Sequence, residues 1–285
     1  MTTISKAIYA LPEDKRLIKI FSPINHQFIE NSAQHIEREK IAIVLPTYNE
    51  RENIITLIPE LEKILDALLD YESFLMIVDD NSKDGTGDIA VRFAREYKNI
   101  VVIRRPEKLG LGSAYRIGFK HAIAIGAEII FMMDSDLSHR PTYIPNFLTC
   151  IKKCGAGLVI GSRYCKDGST NGWPLKRKMM SFGANFIARI LLGMGHVHDT
   201  TSGFRAFRTD TLEKIDYNTV ISNGYSFLGE LLFRVKQQKI PVKEIPIIFY
   251  EREHGSSKLG KNEIKGFLMF ATRAFFHRLT KLFHL

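Results

Sequence analysis

From Lys40 onward the chain alternates short, wholly apolar runs with longer stretches whose apolar positions recur every three or four residues. The runs at 41–45, 74–78, 100–103 and 129–133 show no polar face. That pattern predicts strands buried on both sides, as in a parallel sheet covered by helices. Between the first two runs, Ile54, Leu57, Ile58, Leu61, Ile64, Leu65 and Leu68 form a helical stripe over 51–69. Further helices are predicted over about 86–97 and 112–125, and a fifth strand near 157–160. Strands alternating with helices give an α/β fold with a mostly parallel sheet. Residues 1–39 show no clean period and include Pro12 and Pro23; they read as an extension. No repeat or linker divides 40–260, which reads as one folded unit.

In such sheets ligands bind beyond the carboxyl ends of the strands. The polar residues of interest fall there. Tyr48 and Glu50 follow the first strand, Asp79 and Asp80 the second, and Asp134-Ser135-Asp136 the fourth. Two carboxylates one residue apart at a strand end suit a hard divalent cation, Mg²⁺ or Mn²⁺, with positions left for phosphate oxygens. The plainer alternative is that one of them caps the following helix, which begins near Pro141.

Charge sharpens this picture. The net charge is +9 over 285 residues, but residues 1–150 carry 18 Lys+Arg against 21 Asp+Glu, and residues 151–285 carry 22 against 10. A basic second half calls for phosphate-bearing or anionic-lipid partners. Nucleic acid is not expected, since the chain has no zinc-finger spacing, RNP-type aromatic run or long basic tract. Cys150, Cys154 and Cys165 make no disulfide framework, so a reducing cytosol is expected. No signal peptide and no transmembrane run of about 18 apolar residues is predicted. The stretch 262–284 places Ile264, Phe267, Leu268, Ala271, Phe275, Leu279 and Leu282 at helical spacing among Lys265, Arg273, Arg278 and Lys281. It reads as a basic amphipathic helix (261–285) that lies on a membrane, docks on a partner or covers its own core.

Several familiar chemistries have no support. Lys108-Leu109-Gly110-Leu111-Gly112-Ser113 lacks the third glycine of a dinucleotide fingerprint and reads as a tight strand-to-helix turn. There is no P-loop, and no Ser-His-Asp or Cys-His nucleophile pairing. His139 reads as a lining or capping residue rather than a general base.

Taken in order, these motifs resemble the family 2 glycosyltransferases and their GT-A nucleotide-sugar fold. The resemblance rests on Pro46-Thr47-Tyr48-Asn49-Glu50, Asp79-Asp80-Asn81-Ser82, Lys108-Leu109-Gly110, Asp134-Ser135-Asp136, Gly161-Ser162-Arg163-Tyr164, Trp173-Pro174-Leu175-Lys176-Arg177-Lys178, Thr201-Ser202-Gly203-Phe204-Arg205 and Gly255-Ser256-Ser257-Lys258. It is strongest to the branch that moves mannose from GDP-mannose to a dolichyl or polyprenyl phosphate. By that resemblance Pro46, Tyr48, Glu50, Val78 and Asp80 line the nucleotide pocket. Asp134, Ser135 and Asp136 hold the diphosphate and metal, with Ser138 as a weaker ligand. Arg163, Arg252 and Lys258 bind phosphate, and Arg163 joins the two aspartates as a catalytic residue. Arg177 and Lys178 meet the lipid phosphate with Arg163. The resemblance also implies an inverting transfer at the cytosolic face of a membrane, with a small membrane subunit in some relatives. The alternatives are another donor, such as UDP-glucose, or a non-catalytic nucleotide-sugar-binding subunit.

The chain departs from that branch at three places. Ser138 stands where many relatives carry Gln, Ser135 where Ala is usual, and the Gln of a Phe-Gln-x-Glu pattern before Glu230 is replaced. The loop 164–175 reads as a candidate lid.

Overall fold

A computed structural model describes residues 19–21, 38–220, 222, 224–252, 266–267, 269–276 and 280. The chain forms two compact units, Met1–Leu137 and Ser138–Leu285.

In the first unit β1 (Lys19–Phe21), β2 (Glu39–Thr47), β3 (Tyr71–Asp79), β4 (Ile100–Arg104) and β5 (Ile129–Met132) lie in the order β1-β4-β3-β2-β5. The last four run parallel, and β1 adds antiparallel to β4. Helices α1 (Arg51–Asp66), α2 (Thr86–Glu96) and α3 (Leu111–Ala124) supply the crossovers. Each apolar run is buried because both of its faces are covered, as the missing polar alternation requires. Gly118 lets α3 approach the sheet, since a Cβ there would collide with Val44. The strands outrun their apolar signals. β2 and β3 stay in register from Glu39↔Tyr71 to Thr47↔Asp79, and their polar first residues remain partly exposed.

The strand order contains a reversal. The chain steps outward from β2 to β3 to β4 and then returns to the other side of β2 as β5. In an open parallel sheet, this switch point opens a crevice beyond the carboxyl ends of the two strands it separates. Those strands are β2 and β5.

In the second unit β6 (Leu158–Ser162) is flanked by β8 (Arg205–Arg208), antiparallel, and β9 (Val242–Pro246), parallel. β7 (Ser169–Thr170) pairs with β10 (Ile248–Phe249). The helices are α4 (Ile144–Cys154), α5 (Leu175–Leu192), α6 (Thr209–Lys214) and α7 (Tyr225–Gln237). Residues 266–267 and 269–276 are also helical. Phe267 lies over Gly229 of α7, and Phe270 meets Phe233 edge to face at 6.2 Å. This part of the C-terminal stretch therefore covers its own unit, one of the three roles open to it from sequence. Among the described residues no helix is long and apolar enough to cross a membrane.

Candidate active site

The loops leaving β2 and β5 meet at the switch point. Ser135 Oγ donates to the Pro46 carbonyl at 3.0 Å, tying the aspartate triplet to the turn that carries Tyr48 and Glu50. Asp136 is buried and Asp134 half-buried. Leu137, directly after them, has φ of +65°. A branched residue in the left-handed region costs about 1–3 kcal/mol and persists only where its surroundings impose it. The N-cap positions of the 3-10 turn Pro141–Tyr143 and of α4 are Arg140 and Tyr143, not an aspartate, and neither makes a side-chain cap bond. Among the described residues there is no group of three or more His, Cys, Asp or Glu able to hold a metal. An ion here would meet few protein donors, all hard oxygens, and would draw its remaining ligands from phosphate and water.

The neighbouring loops are held rigid by buried polar contacts. Asp80 accepts from the backbone N–H groups of Leu109 and Gly110, both at 2.9 Å, and pairs with Arg105 at 3.2 Å. Arg105 in turn donates to Ser113 Oγ at 2.6 Å. Gly110 sits at φ +88°, ψ +164°, a region essentially restricted to glycine, which explains the glycine in this turn. Two amides at the start of α3 are thus taken by Asp80, so they form no pyrophosphate cradle. The same turn sets Lys108 Nζ 3.9 Å over the Tyr48 ring.

A second set of bonds latches the β2 loop to the β3 loop. Asn49 N–H donates to Ser82 Oγ, Lys83 N–H to Asn49 Oδ1 and Glu50 N–H to Thr86 Oγ1, each at 2.9 Å. Glu50 accepts from Asn53 at 2.6 Å. Asp84 accepts from Thr86 and from the Arg51 N–H; burial raises its carboxyl, but these bonds outweigh burial and lower it. Val78, near the end of β3, is fully buried. Burial pushes the Asp79 carboxyl above its ordinary range.

The second unit carries the basic residues. Arg163, at the end of β6, is clamped by Asp199: Nε and Nη2 each reach a carboxylate oxygen at 2.7 Å, and the Arg163 N–H donates at 3.0 Å. Burial raises the Asp199 carboxyl, yet the Arg163 charge and hydrogen bonds hold it below the usual range. The sequence marked Arg163 as a phosphate ligand, whereas the structure shows its charge matched by a fully buried carboxylate. Asp199 escaped sequence reading because it lies outside any periodic element. Arg205, quoted above only within the Thr201–Arg205 motif and without a role, is fully buried at the start of β8 and donates to the Thr200, Ser202 and Leu228 carbonyls, all at 2.8 Å.

Arg177 pairs with Glu251 at 2.7 Å and lies 4.1 Å over the Trp173 ring. Lys178 is exposed and Arg252 half-buried; Lys258 lies outside the described residues. Ser138 and His139 are buried, and His139 stacks on Phe204 at 5.0 Å. An imidazole packed on an aromatic ring is poorly placed as a general base. The candidate lid 164–175 is stitched down, with Ser169 N–H donating to Ile247 O at 3.0 Å and Asn171 N–H to Phe249 O at 2.8 Å.

The sheet with its reversed strand order and the paired aspartates at the switch point belong to a glycosyltransferase: the chain is a member of Glycosyl transferase family 2, whose profile matches residues 42–216. The polyprenol monophosphomannose synthase of Mycolicibacterium smegmatis is 38% identical over 228 residues, covering 80% of this chain and 83% of that protein. The undecaprenyl-phosphate mannosyltransferase of Micrococcus luteus is 40% identical over 220 residues, covering 77% and 87%. The fold is GT-A-like. It superposes on the glucosyl-3-phosphoglycerate synthase of Mycobacterium tuberculosis, solved with Mn²⁺, UDP-glucose and phosphoglyceric acid, with a TM-score of 0.61 at 18% identity, covering 84% of this chain and 80% of that one.

Proposed function

We propose that the chain transfers mannose from GDP-mannose to the phosphate of a polyprenol or dolichol at a membrane surface. The carrying observation is the aspartate pair at the β2–β5 switch point, in a chain close in sequence to a polyprenol monophosphomannose synthase and an undecaprenyl-phosphate mannosyltransferase. Residues 40–260 would form the catalytic domain.

In the proposed reaction a lipid phosphate oxygen attacks the anomeric carbon. The bond from that carbon to the diphosphate breaks, and its electron pair leaves with GDP. A phosphate monoester has a second pKa near ~6, so the nucleophile is already largely deprotonated at neutral pH. No general base is required, in keeping with the packing of His139. A single displacement turns α-linked mannose into a β-linked product.

Asp136 and Asp134 are assigned to hold Mg²⁺ or Mn²⁺, which when bound would offset the diphosphate charge as a Lewis acid. Ser135 fixes their loop. Pro46, Tyr48 and Glu50 are assigned to the nucleotide. Asp80 shapes the turn that brings Lys108 onto Tyr48, so its part is positioning. Arg177 and Lys178 are assigned to the incoming phosphate, and Arg252 and Lys258 to phosphate charge. Arg163, neutralised by Asp199, is assigned to orienting the 163–165 turn.

Competition binding tests the donor: GDP should displace labelled GDP-mannose far better than UDP. The product should give the one-bond anomeric carbon–proton coupling of a β-mannoside. Preference for UDP, or an α-linked product, would contradict the reading.

A further inference from the structure

Helix α5 is built inside out. Its buried positions include Asn185, Ala188 and Leu192. Asn185 is locked into its own unit by accepting from Thr200 N–H at 3.0 Å and Thr200 Oγ1 at 2.6 Å, and by donating to the His198 carbonyl at 2.7 Å. Ser181 Oγ accepts from the Tyr164 hydroxyl at 2.7 Å. The outward side is apolar. Leu175 (73% exposed), Met179, Phe182 (58%), Phe186 (52%) and Ile190 (55%) recur at helical spacing and make one stripe. Met180 and Ile187 widen it. Seven of the twelve exposed large hydrophobic side chains among the described residues lie on this one helix. A surface helix in water normally shows the opposite pattern, and a concentrated apolar patch marks a contact surface.

Charge says what the contact is. α5 has no acidic residue and carries Lys176, Arg177, Lys178 and Arg189. By helical period Lys178 and Arg189 fall on one flank of the stripe and Lys176 on the other. Cations bordering an apolar stripe of Phe, Met, Leu and Ile match the boundary between anionic headgroups and acyl chains. The helix is too short and too charged to span a bilayer, in agreement with the lack of any candidate span among the described residues.

We propose that α5 is the membrane-docking element, lying in the plane of an anionic bilayer with Phe182 and Phe186 among the acyl chains. The proposal deepens the lipid-acceptor reading and rests on that reading for its purpose. The helix's own exposure and charge supply its evidence. It also moves the principal membrane contact from the C-terminal stretch to α5.

The test is co-sedimentation of the full chain with phosphatidylcholine vesicles containing or lacking phosphatidylglycerol. Wild type should bind the anionic vesicles at least about tenfold more strongly, each basic residue near the surface contributing about 1 kcal/mol. Phe182→Ser/Phe186→Ser should reduce that binding tenfold or more, with only a small change in thermal midpoint because both side chains are more than half exposed, Phe182 keeping an edge-on contact with Tyr164 at 5.9 Å. Ile190→Ser should have a smaller effect in the same direction. Mannosyl transfer to a short, water-soluble polyprenyl phosphate should be unaffected by the double variant. Vesicle binding unchanged in a folded double variant overturns the proposal. So does a wild-type dimer that the double variant dissociates while vesicle binding persists, which would assign the face to a second copy. Wild type that binds vesicles through α5 yet transfers no mannose would remove the functional reading and leave the docking surface intact.

Discussion

The rim of the first unit and helix α5 of the second handle polarity in opposite ways. Around the ends of β2 and β3 the polar side chains turn inward. Asp80 holds two amides and a buried guanidinium, and Asn49, Asp84 and Thr86 latch one loop to the next. Along α5 a polar residue, Asn185, is again buried as an anchor, but the apolar side chains face out. In both places buried polarity fixes shape. What differs is the surface presented. The rim offers carboxylates suited to a hard divalent cation, whereas the helix offers a greasy stripe edged with cations.

If buried polar pairs are shape-holding, removing one partner should be costly. The largest effect is expected from Asp199→Asn, which leaves Arg163 charged and uncompensated in a buried position. A loss of about 3–5 kcal/mol in chemical denaturation is expected. A loss under 1 kcal/mol would break the parallel between the two regions. Asp80→Asn should cost less, about 1–3 kcal/mol, because the amide oxygen still accepts one N–H. It should raise the KM for the donor more than it lowers kcat, since the 108–110 turn is loosened. An unchanged KM would detach that turn from the nucleotide.

The smallest effect concerns pH. Burial raises the Glu62 carboxyl from 4.5 to about 7, partly opposed by the Asn99 hydrogen bond and assisted by nearby Asp66. The folded chain therefore keeps a proton that the unfolded chain releases between those values. Stability from this group is complete below pH 4.5 and lost as the pH rises through 7. Glu62→Gln should make the decline in thermal midpoint across that window shallower and stabilise the protein at about pH 8 by roughly 1 kcal/mol. An identical pH profile in the variant would show that Glu62 is ordinary.

The alternation of strands and helices from 40 to 133 was legible because each strand is buried on both faces and writes itself as an apolar run. β1 was not, since three residues on an antiparallel edge carry no period. The aspartate pair was readable from its place after β5. Its link to β2 through Ser135 and Pro46 was not, because it depends on strand order rather than local sequence. Asp199, and the anchoring role of Arg205, were invisible for the same reason: their partners lie across loops. α5 was legible only in part. Its basic opening drew notice, but an apolar helical stripe in a sequence is ordinarily taken to face the core, and only the fold shows which side of the helix is buried.

The central claim is that the aspartates at the switch point support mannosyl transfer to a lipid phosphate. It is tested most directly by following labelled mannose from GDP-mannose to a short polyprenyl phosphate, with Mg²⁺, Mn²⁺ or chelator, in wild type and Asp136→Ala. The expected result is product that depends on the divalent ion and falls about 10³-fold or more in a variant with wild-type thermal stability, a loss of several kcal/mol in transition-state charge stabilisation. Equal rates in the two proteins, or full activity in chelator, would contradict it.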